Sequence, residues 1–320
     1  MTSTMGPGPE FDRIRAIAAA LGEHAGDLGD DCASIPVSGG MIVVSTDASV
    51  EHVHFERNWL TLEEIGYRSA AAALSDLAAQ AAEPRGVLVA VTQPAESSSA
   101  DVAELMRGAG RAAADSNATV LGGDLSRGSQ WAVTATVLGF TARPILRSGA
   151  TPGDGLWVTG VLGGARAALD AFREGRAPDP DARIRFAAPA PRIRQARWLA
   201  EHGAHAMLDL SDGIPGDASH LAAASGVEAE IILEQLPVHH AAVAAALAAR
   251  AEPVIYAAKG GEDYELLVAL PETFGGTDAL EFEHAFGLTV TRVGSCRRGS
   301  GVRLMFRGSR LTLQGFDHFR

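Results

Sequence analysis

Two runs of alternating strand-like and helix-like segments, parted by a cluster of helix and strand breakers, constrain this chain more than any other feature. Pro144, Gly149, Pro152 and Gly153 fall together between residues 143 and 154, and the alternation stops there and restarts. Before the break, Met41 to Thr46 reads as a strand ending at Asp47, and Thr61 to Ala82 reads as a long helix interrupted only by Gly66. Gly86 to Thr92 is a strand, Ser98 to Ala114 a serine-capped helix, and Ala118 to Leu121 a short strand that stops at Gly122-Gly123-Asp124. Trp131 to Phe140 is a longer strand.

After the break, Leu156 to Thr159 is a strand and Gly163 to Glu174 a helix, while residues 175–192, rich in Pro, Arg and Asp, read as a surface connection. Ala206 to Asp209 is a strand running into Ser211-Asp212-Gly213 and a helix through Ala224. A turn at Gly260-Gly261 precedes the strand Tyr264 to Leu270, and Arg307-Gly308-Ser309 marks a hairpin in a strand-rich end. Two α/β (α+β) halves result, residues 1–145 and 146–320, with mixed sheets covered by helices.

The charge balance then narrows the partners. A formal net charge of −12 leaves no basic stripe to displace counterions from a nucleic-acid backbone. No apolar run approaches the ~20 residues of a membrane span, and residues 1–9 have no signal-peptide pattern. Cys32 and Cys296 form neither a disulfide framework nor a zinc spacing, which points to a cytoplasmic chain. Lys259 is the only lysine and lies in neither a P-loop nor a protein-kinase motif, so any phosphoryl transfer needs another architecture.

The acids suggest which one. Asp30 and Asp31 follow Gly29, Asp47 and Asp209 close strands, Asp76 lies on the long helix, Asp124 follows two glycines, and Asp212 stands three residues beyond Asp209. Singly, each is what a cap or turn uses. Together, carboxylates from distant segments can hold Mg²⁺, which bridges acids to substrate phosphates and lets an acidic protein accept ATP. The glycines of Gly122-Gly123-Asp124 permit close backbone approach to phosphate.

Eight blocks in order carry a family resemblance: Gly29 to Ala33; Ser45 to Asp47 with His54-Phe55; Leu74 to Ala78 with Ala82 to Pro84; Gly122 to Asp124; Arg147 to Ala150 with Pro152 to Asp154; Asp209 to Gly213; Gly260 to Glu265; and Gly315 to Phe319. The chain resembles the thiamine-monophosphate kinases, within the ATP-binding group that includes aminoimidazole ribonucleotide synthetase. The resemblance implies the two-domain fold of that group, with an N-terminal ATP- and Mg²⁺-binding domain whose sheet pairs across a homodimer. It implies that Asp31, Ser45, Thr46, Asp47, Asp76, Asp124, Asp209 and Asp212 bind Mg²⁺, with Asp47, Asp124 and Asp212 central to catalysis. Gly123, Asp124, Arg147 and Ser211 are expected at ATP, and His54, Glu262 and Phe316 at thiamine monophosphate. Asp30 is an alternative to Asp31, and Asp263 to Glu262. Sister enzymes with another acceptor, or a non-catalytic ATP- or thiamine-binding protein, are the competing readings.

Overall fold

The computed structural model describes residues 5–26 and 28–316. The first half contains α1 (Pro9–Leu21), β1 (Ala33–Val37), β2 (Gly40–Val50), α2 (Leu62–Ala79), β3 (Glu83–Pro94), α3 (Ser99–Asp115), β4 (Val120–Gly128) and β5 (Ala132–Thr141). Its five strands form a sheet in the order β1-β2-β5-β3-β4, antiparallel except for the β3–β4 pair.

The second half contains β6 (Gly155–Thr159), α4 (Gly164–Arg173), α5 (Pro180–Ala187), α6 (Ile193–Glu201), β7 (Ala206–Asp209), α7 (Ile214–Ser225) and β8 (Glu228–Ile232). It continues through α8 (His240–Ala248), α9 (Pro253–Ala258), β9 (Leu266–Leu270), α10 (Gly276–Phe286), β10 (Val290–Arg297), β11 (Gly301–Phe306) and β12 (Ser309–Leu311). These strands form a seven-stranded mixed sheet, β12-β11-β8-β10-β6-β9-β7. The hairpin expected at Arg307-Gly308 joins β11 to β12, and both residues have positive φ, as a tight two-residue turn requires.

Helix α2 lies between the halves. A capping box starts it: Thr61 Oγ1 accepts from the Glu64 N–H, and the Glu64 carboxylate accepts from the Thr61 N–H. Every residue of α2 except Glu63, Glu64 and Asp76 is buried, because one side meets the first sheet and α3 while the other meets α5, α6 and β7. Small residues make this approach possible: a Cβ on Gly66 would sit 1.9 Å from the Leu105 carbonyl of α3. One core cluster therefore runs through both halves, joining Leu74 and Leu77 of α2 to Phe186, Leu199 and Met207. A second fills the other face of the large sheet, beneath α7.

Several boundaries differ from the sequence expectation, each for a local reason. Helix α2 ends at Ala79 and not Ala82, because Ala81 turns left-handed (φ 53°) and the Ala82 N–H reaches back to the Leu77 carbonyl. Strand β2 does not end at Asp47 but continues to Val50, paired residue for residue with β5. Strand β4 does not stop at Gly122 but runs through Gly123 and Asp124 to Gly128, because pairing with β3 outweighs the glycines' conformational freedom. Residues 175–192 are not only a connection: Asp179 caps α5 and Pro180 occupies its first turn. Strand β9 begins at Leu266, and Tyr264 belongs to the preceding loop.

Candidate active site

Three carboxylates from three distant segments converge where α2 meets the second sheet. Asp31 comes from the turn before β1, Asp76 from the last turn of α2, and Asp209 from the end of β7; one oxygen from each lies within 4.8 Å of the others. Asp31 and Asp209 are buried. Ser45 Oγ donates to Asp76, and Ser75 Oγ donates to Asp209 at 2.7 Å. Arg147, in the junction between the halves, donates through Nη2 to Asp31 Oδ1 at 2.7 Å. Asp31 Oδ2 has no hydrogen-bond partner among the described residues, and neither has Arg147 Nε.

Packing this much negative charge out of water shows in the proton affinities. Burial, then the charges of Asp209 and Asp31, pushes the Asp76 carboxyl well above its ordinary range. Burial and Asp31 raise Asp209 to about 7. Asp217, in the first turn of α7, is raised well above its usual value by burial and by Asp212 and Asp209. Burial alone would lower Arg147, but Asp31, Asp30 and Asp209 hold its proton more tightly than usual. Acids forced together in this way bind protons unless a cation takes the protons' place, so the donor set fits a hard divalent ion.

The adjacent acids of each pair point in different directions. Asp30 turns its carboxylate to the Arg147 N–H, to Gln80 Nε2 and to the Asp31 N–H, so it braces the turn that presents Asp31. Asp263 accepts from the Gly163 N–H with both oxygens at 2.9 Å, capping α4. Glu262 points the other way, toward α2, where Arg68 meets it in an ion pair. Its N–H is fixed to the Ser211 carbonyl at 2.7 Å. The Phe316 N–H donates to the Asp212 carbonyl at 2.9 Å, which brings the C-terminal segment to the loop before α7. Of the last motif, Asp317, His318 and Phe319 lie outside the described residues. His54 Nδ1 accepts the Val50 N–H at 3.0 Å, leaving the proton of the neutral ring on Nε2.

Asp47 lies on the face of β2 that carries Ser45, the face turned to α2. Thr46 points to the opposite face, where its hydroxyl meets that of Thr136 at 3.0 Å. Asp124 is also on that opposite face, in the row Ala48–Thr134–Ala90–Asp124. Strands β5 and β3 separate it from β2, three inter-strand steps or about 14 Å along the sheet. Within one chain, Asp124 and Thr46 therefore stand apart from the Asp31–Asp76–Asp209 cluster. Gly122, Gly123 and Asp124 instead border an open cavity of about 500 Å³ floored by Val89, Val91 and Met106.

Four residues of this region escaped the sequence reading: Ser75, Asp217, Arg68 and Tyr264. The Leu74-Ser75-Asp76 motif gave a hint of the first. The others had none, since a lone acid early in a helix, an arginine in mid-helix and a tyrosine before a strand are all ordinary.

Comparison with known proteins identifies the family. Residues 29–141 match the family described as AIR synthase related protein, N-terminal domain, and residues 151–306 match its C-terminal domain. The thiamine-monophosphate kinase of Aquifex aeolicus is 31% identical over 314 residues, covering 97% of this chain and 98% of that protein. The enzyme of Escherichia coli K12 is 33% identical over 329 residues, covering 97% and 95%. The solved structure of AaThiL complexed with AMPPCP and TMP superposes with a TM-score of 0.87 at 30% identity, covering 97% of each chain. The expected two-domain fold is thus met.

Proposed function

The chain belongs to the AIR synthase related family and to its thiamine-monophosphate kinases, and on that premise we propose how its residues carry the reaction. It transfers the γ-phosphoryl group of ATP to a phosphate oxygen of thiamine monophosphate. The bond from the γ-phosphorus to the bridging oxygen of ADP breaks as the new P–O–P bond of thiamine diphosphate forms. The attacking oxygen is already ionised near neutral pH, so no general base is required, and positioning and charge neutralisation do the catalysis. The observation that carries this reading is the convergence of Asp31, Asp76 and Asp209 beside Arg147.

We assign Mg²⁺ to this acid cluster, with Asp31, Asp76 and Asp209 as its centre and Ser45, Asp47 and Asp212 as further ligands, while Thr46, whose hydroxyl faces the other side of the sheet, and Asp124 are expected ligands only across the homodimer proposed below. Bound there, Mg²⁺ supplies the positive charge that lets carboxylates and polyphosphate share a site. Arg147 adds a planar fork suited to phosphate oxygens, and Ser211, on the loop that leads into α7, is the other expected ATP contact from this half. Gly123 and Asp124 edge the open cavity on β4, whose apolar floor suits a nucleotide base. His54, Glu262 and Phe316 form the thiamine end, where the Phe316 ring offers a π face to the thiazolium cation.

We further propose a homodimer and place the domain boundary near residue 145. Strand β4 is an open sheet edge, and Leu88, Leu121 and Leu125 are exposed on or beside it, a surface that calls for a cover. A second copy paired along this sheet would also carry its own β4, with the partner's acid, toward the opposite cluster. Among the described residues no helix is long and apolar enough to cross a membrane, and both cysteines are free and buried, which fits a cytoplasmic site of action.

The test is a coupled assay with Mg-ATP and thiamine monophosphate that follows thiamine diphosphate by chromatography. One ADP per thiamine diphosphate is the expected result. ADP without thiamine diphosphate would indicate another acceptor or hydrolysis, and binding of both ligands without turnover would indicate a non-catalytic protein.

A further inference from the structure

We propose that Arg68 is the positioning residue for Glu262, and that the pair reads the neutral aminopyrimidine of the substrate as a hydrogen-bond donor and does not serve as counter-ion to the thiazolium. This deepens the assignment of Glu262 to the thiamine end of the site and rests on it.

Arg68 projects from α2 with a side chain only 3% exposed. Its guanidinium is fixed three ways: Nη2 donates to Glu262 Oε1, Nη1 donates to the Phe186 carbonyl, and the plane lies over the Phe186 ring at 4.1 Å. Such a group has little freedom, so the carboxylate it holds has little freedom either.

The loop that carries Glu262 is built to reach it. Glu262 and Tyr264 both have left-handed backbones (φ 64° and 49°), a conformation that costs side-chain-bearing residues energy and persists where neighbours enforce it. The enforcing bonds run from the Glu262 N–H to the Ser211 carbonyl and from the Tyr264 N–H to the Leu210 carbonyl, at 2.7 and 2.9 Å. Asp263, between them, is anchored to α4. The same loop thus sends Glu262 across to the first half and the next acid, Asp263, into the second.

Charge then decides what Glu262 can recognise. Arg68 neutralises it at close range, so little net attraction remains for a cation. Glu262 Oε2 receives no hydrogen bond from the described residues, and the side chain is 26% exposed. What it offers is one oriented acceptor, and a site built around an acceptor rejects analogues that lack the donor.

The experiment compares thiamine monophosphate with its analogue in which an oxo group replaces the pyrimidine amino group. Wild type, Arg68→Lys, Arg68→Met, Glu262→Gln and the double variant Arg68→Met/Glu262→Gln are assayed for steady-state kinetics, and calorimetry measures substrate binding without turnover. Each Arg68 variant should raise KM for thiamine monophosphate about 10- to 100-fold, the loss of an oriented charge-assisted hydrogen bond. KM for ATP and kcat should stay within about 3-fold, and the preference over the oxo analogue should shrink. The double variant should bind no worse than the worse single variant, because one residue acts through the other.

Unchanged KM in the Arg68 variants, an equal rise for ATP, or losses that multiply in the double variant would overturn the proposal. Should Arg68→Met unfold, Arg68→Lys carries the test, since it keeps the charge and loses the fork. A wild-type protein that binds thiamine monophosphate but makes no diphosphate would overturn the kinase assignment and leave the calorimetric comparison standing.

Discussion

Arg147 and Asp31 form an ion pair, 2.7 Å from Nη2 to Oδ1, that ties the junction between the two halves to the centre of the acid cluster. Both side chains are largely buried, at 17% and 0% exposure, so neither can trade its partner for water without cost. Asp30 reinforces the link by accepting the Arg147 N–H.

Arg147→Met should therefore lower stability more than a surface change does, by about 3–5 kcal/mol. The loss leaves Asp30 and Asp31 buried without their cation. Thermal melts in chelator should show the full effect, and added Mg²⁺ should recover more of it in the variant than in wild type. Equal responses to Mg²⁺ in both proteins would separate Arg147 from the metal cluster.

Asp209→Asn should have opposite effects on stability and activity. The folded carboxyl titrates near 7, above the ordinary 3.8, because of burial and Asp31. A raised carboxyl gives its full stabilisation below the unfolded value and loses it as pH climbs through the folded one. At pH 8 without metal the ionised wild-type carboxylate is a burden that asparagine removes, so the variant should melt higher. Its stabilisation by Mg²⁺ should shrink, and turnover should fall by about 10²-fold or more, as for other lost transition-state charge contacts. A variant that melts lower at pH 8 in chelator, yet responds normally to Mg²⁺, would contradict the cluster as a metal centre.

Asp47 and Asp124 lie on opposite faces of the first sheet, with β5 and β3 between their strands. If the partner subunit's β4 completes each site, Asp47→Asn and Asp124→Asn homodimers are both inactive, but a mixed dimer contains one intact site. Co-expressing the two differently tagged variants and isolating the mixed species should recover about half of wild-type activity per dimer, the share expected of one intact site in two under a closed two-fold arrangement. Activity no higher than in either parent would place both acids in sites built by a single chain.

How much of this was legible beforehand depended on whether a signal was local. Strand ends after apolar runs place Asp209 correctly, and the helical spacing from Thr61 locates the start of α2. Asp47 was misplaced at a strand end because Ala48 and Ser49 have weak β propensity, and only pairing with β5 carries the strand past them. Asp124 was misplaced because two glycines look like a turn until a neighbouring strand straightens them. Helix α5 was missed although Asp179-Pro180 is a sound start signal, since the surrounding prolines and arginines masked its short apolar face. Arg68 could not have been chosen from sequence, because its role is defined by Phe186 and Glu262, more than a hundred residues away.

His220 gives a pH signature distinct from that of the acids. Phe11 stacks on its ring at 4.0 Å, Nδ1 is buried without a partner among the described residues, and Arg147 lies close enough to oppose a second positive charge. Burial, then Arg147, lowers its titration from 6.5 to about 3. A depressed histidine stabilises the fold fully above its unfolded value and loses that contribution as pH falls from 6.5 toward 3, because only the unfolded chain takes up the proton. At pH 5 the loss is about 2 kcal/mol. Asp30 and Asp209 act in the reverse sense, gaining stability as pH falls, so the wild-type curve is a sum that hides each part. The difference between wild type and His220→Leu isolates the histidine: the variant's denaturant midpoint should decline less between pH 6.5 and 4.5. Parallel curves over that interval would show that the imidazole can accept a proton inside the folded protein, and that the packing of Phe11 against it does not keep it neutral.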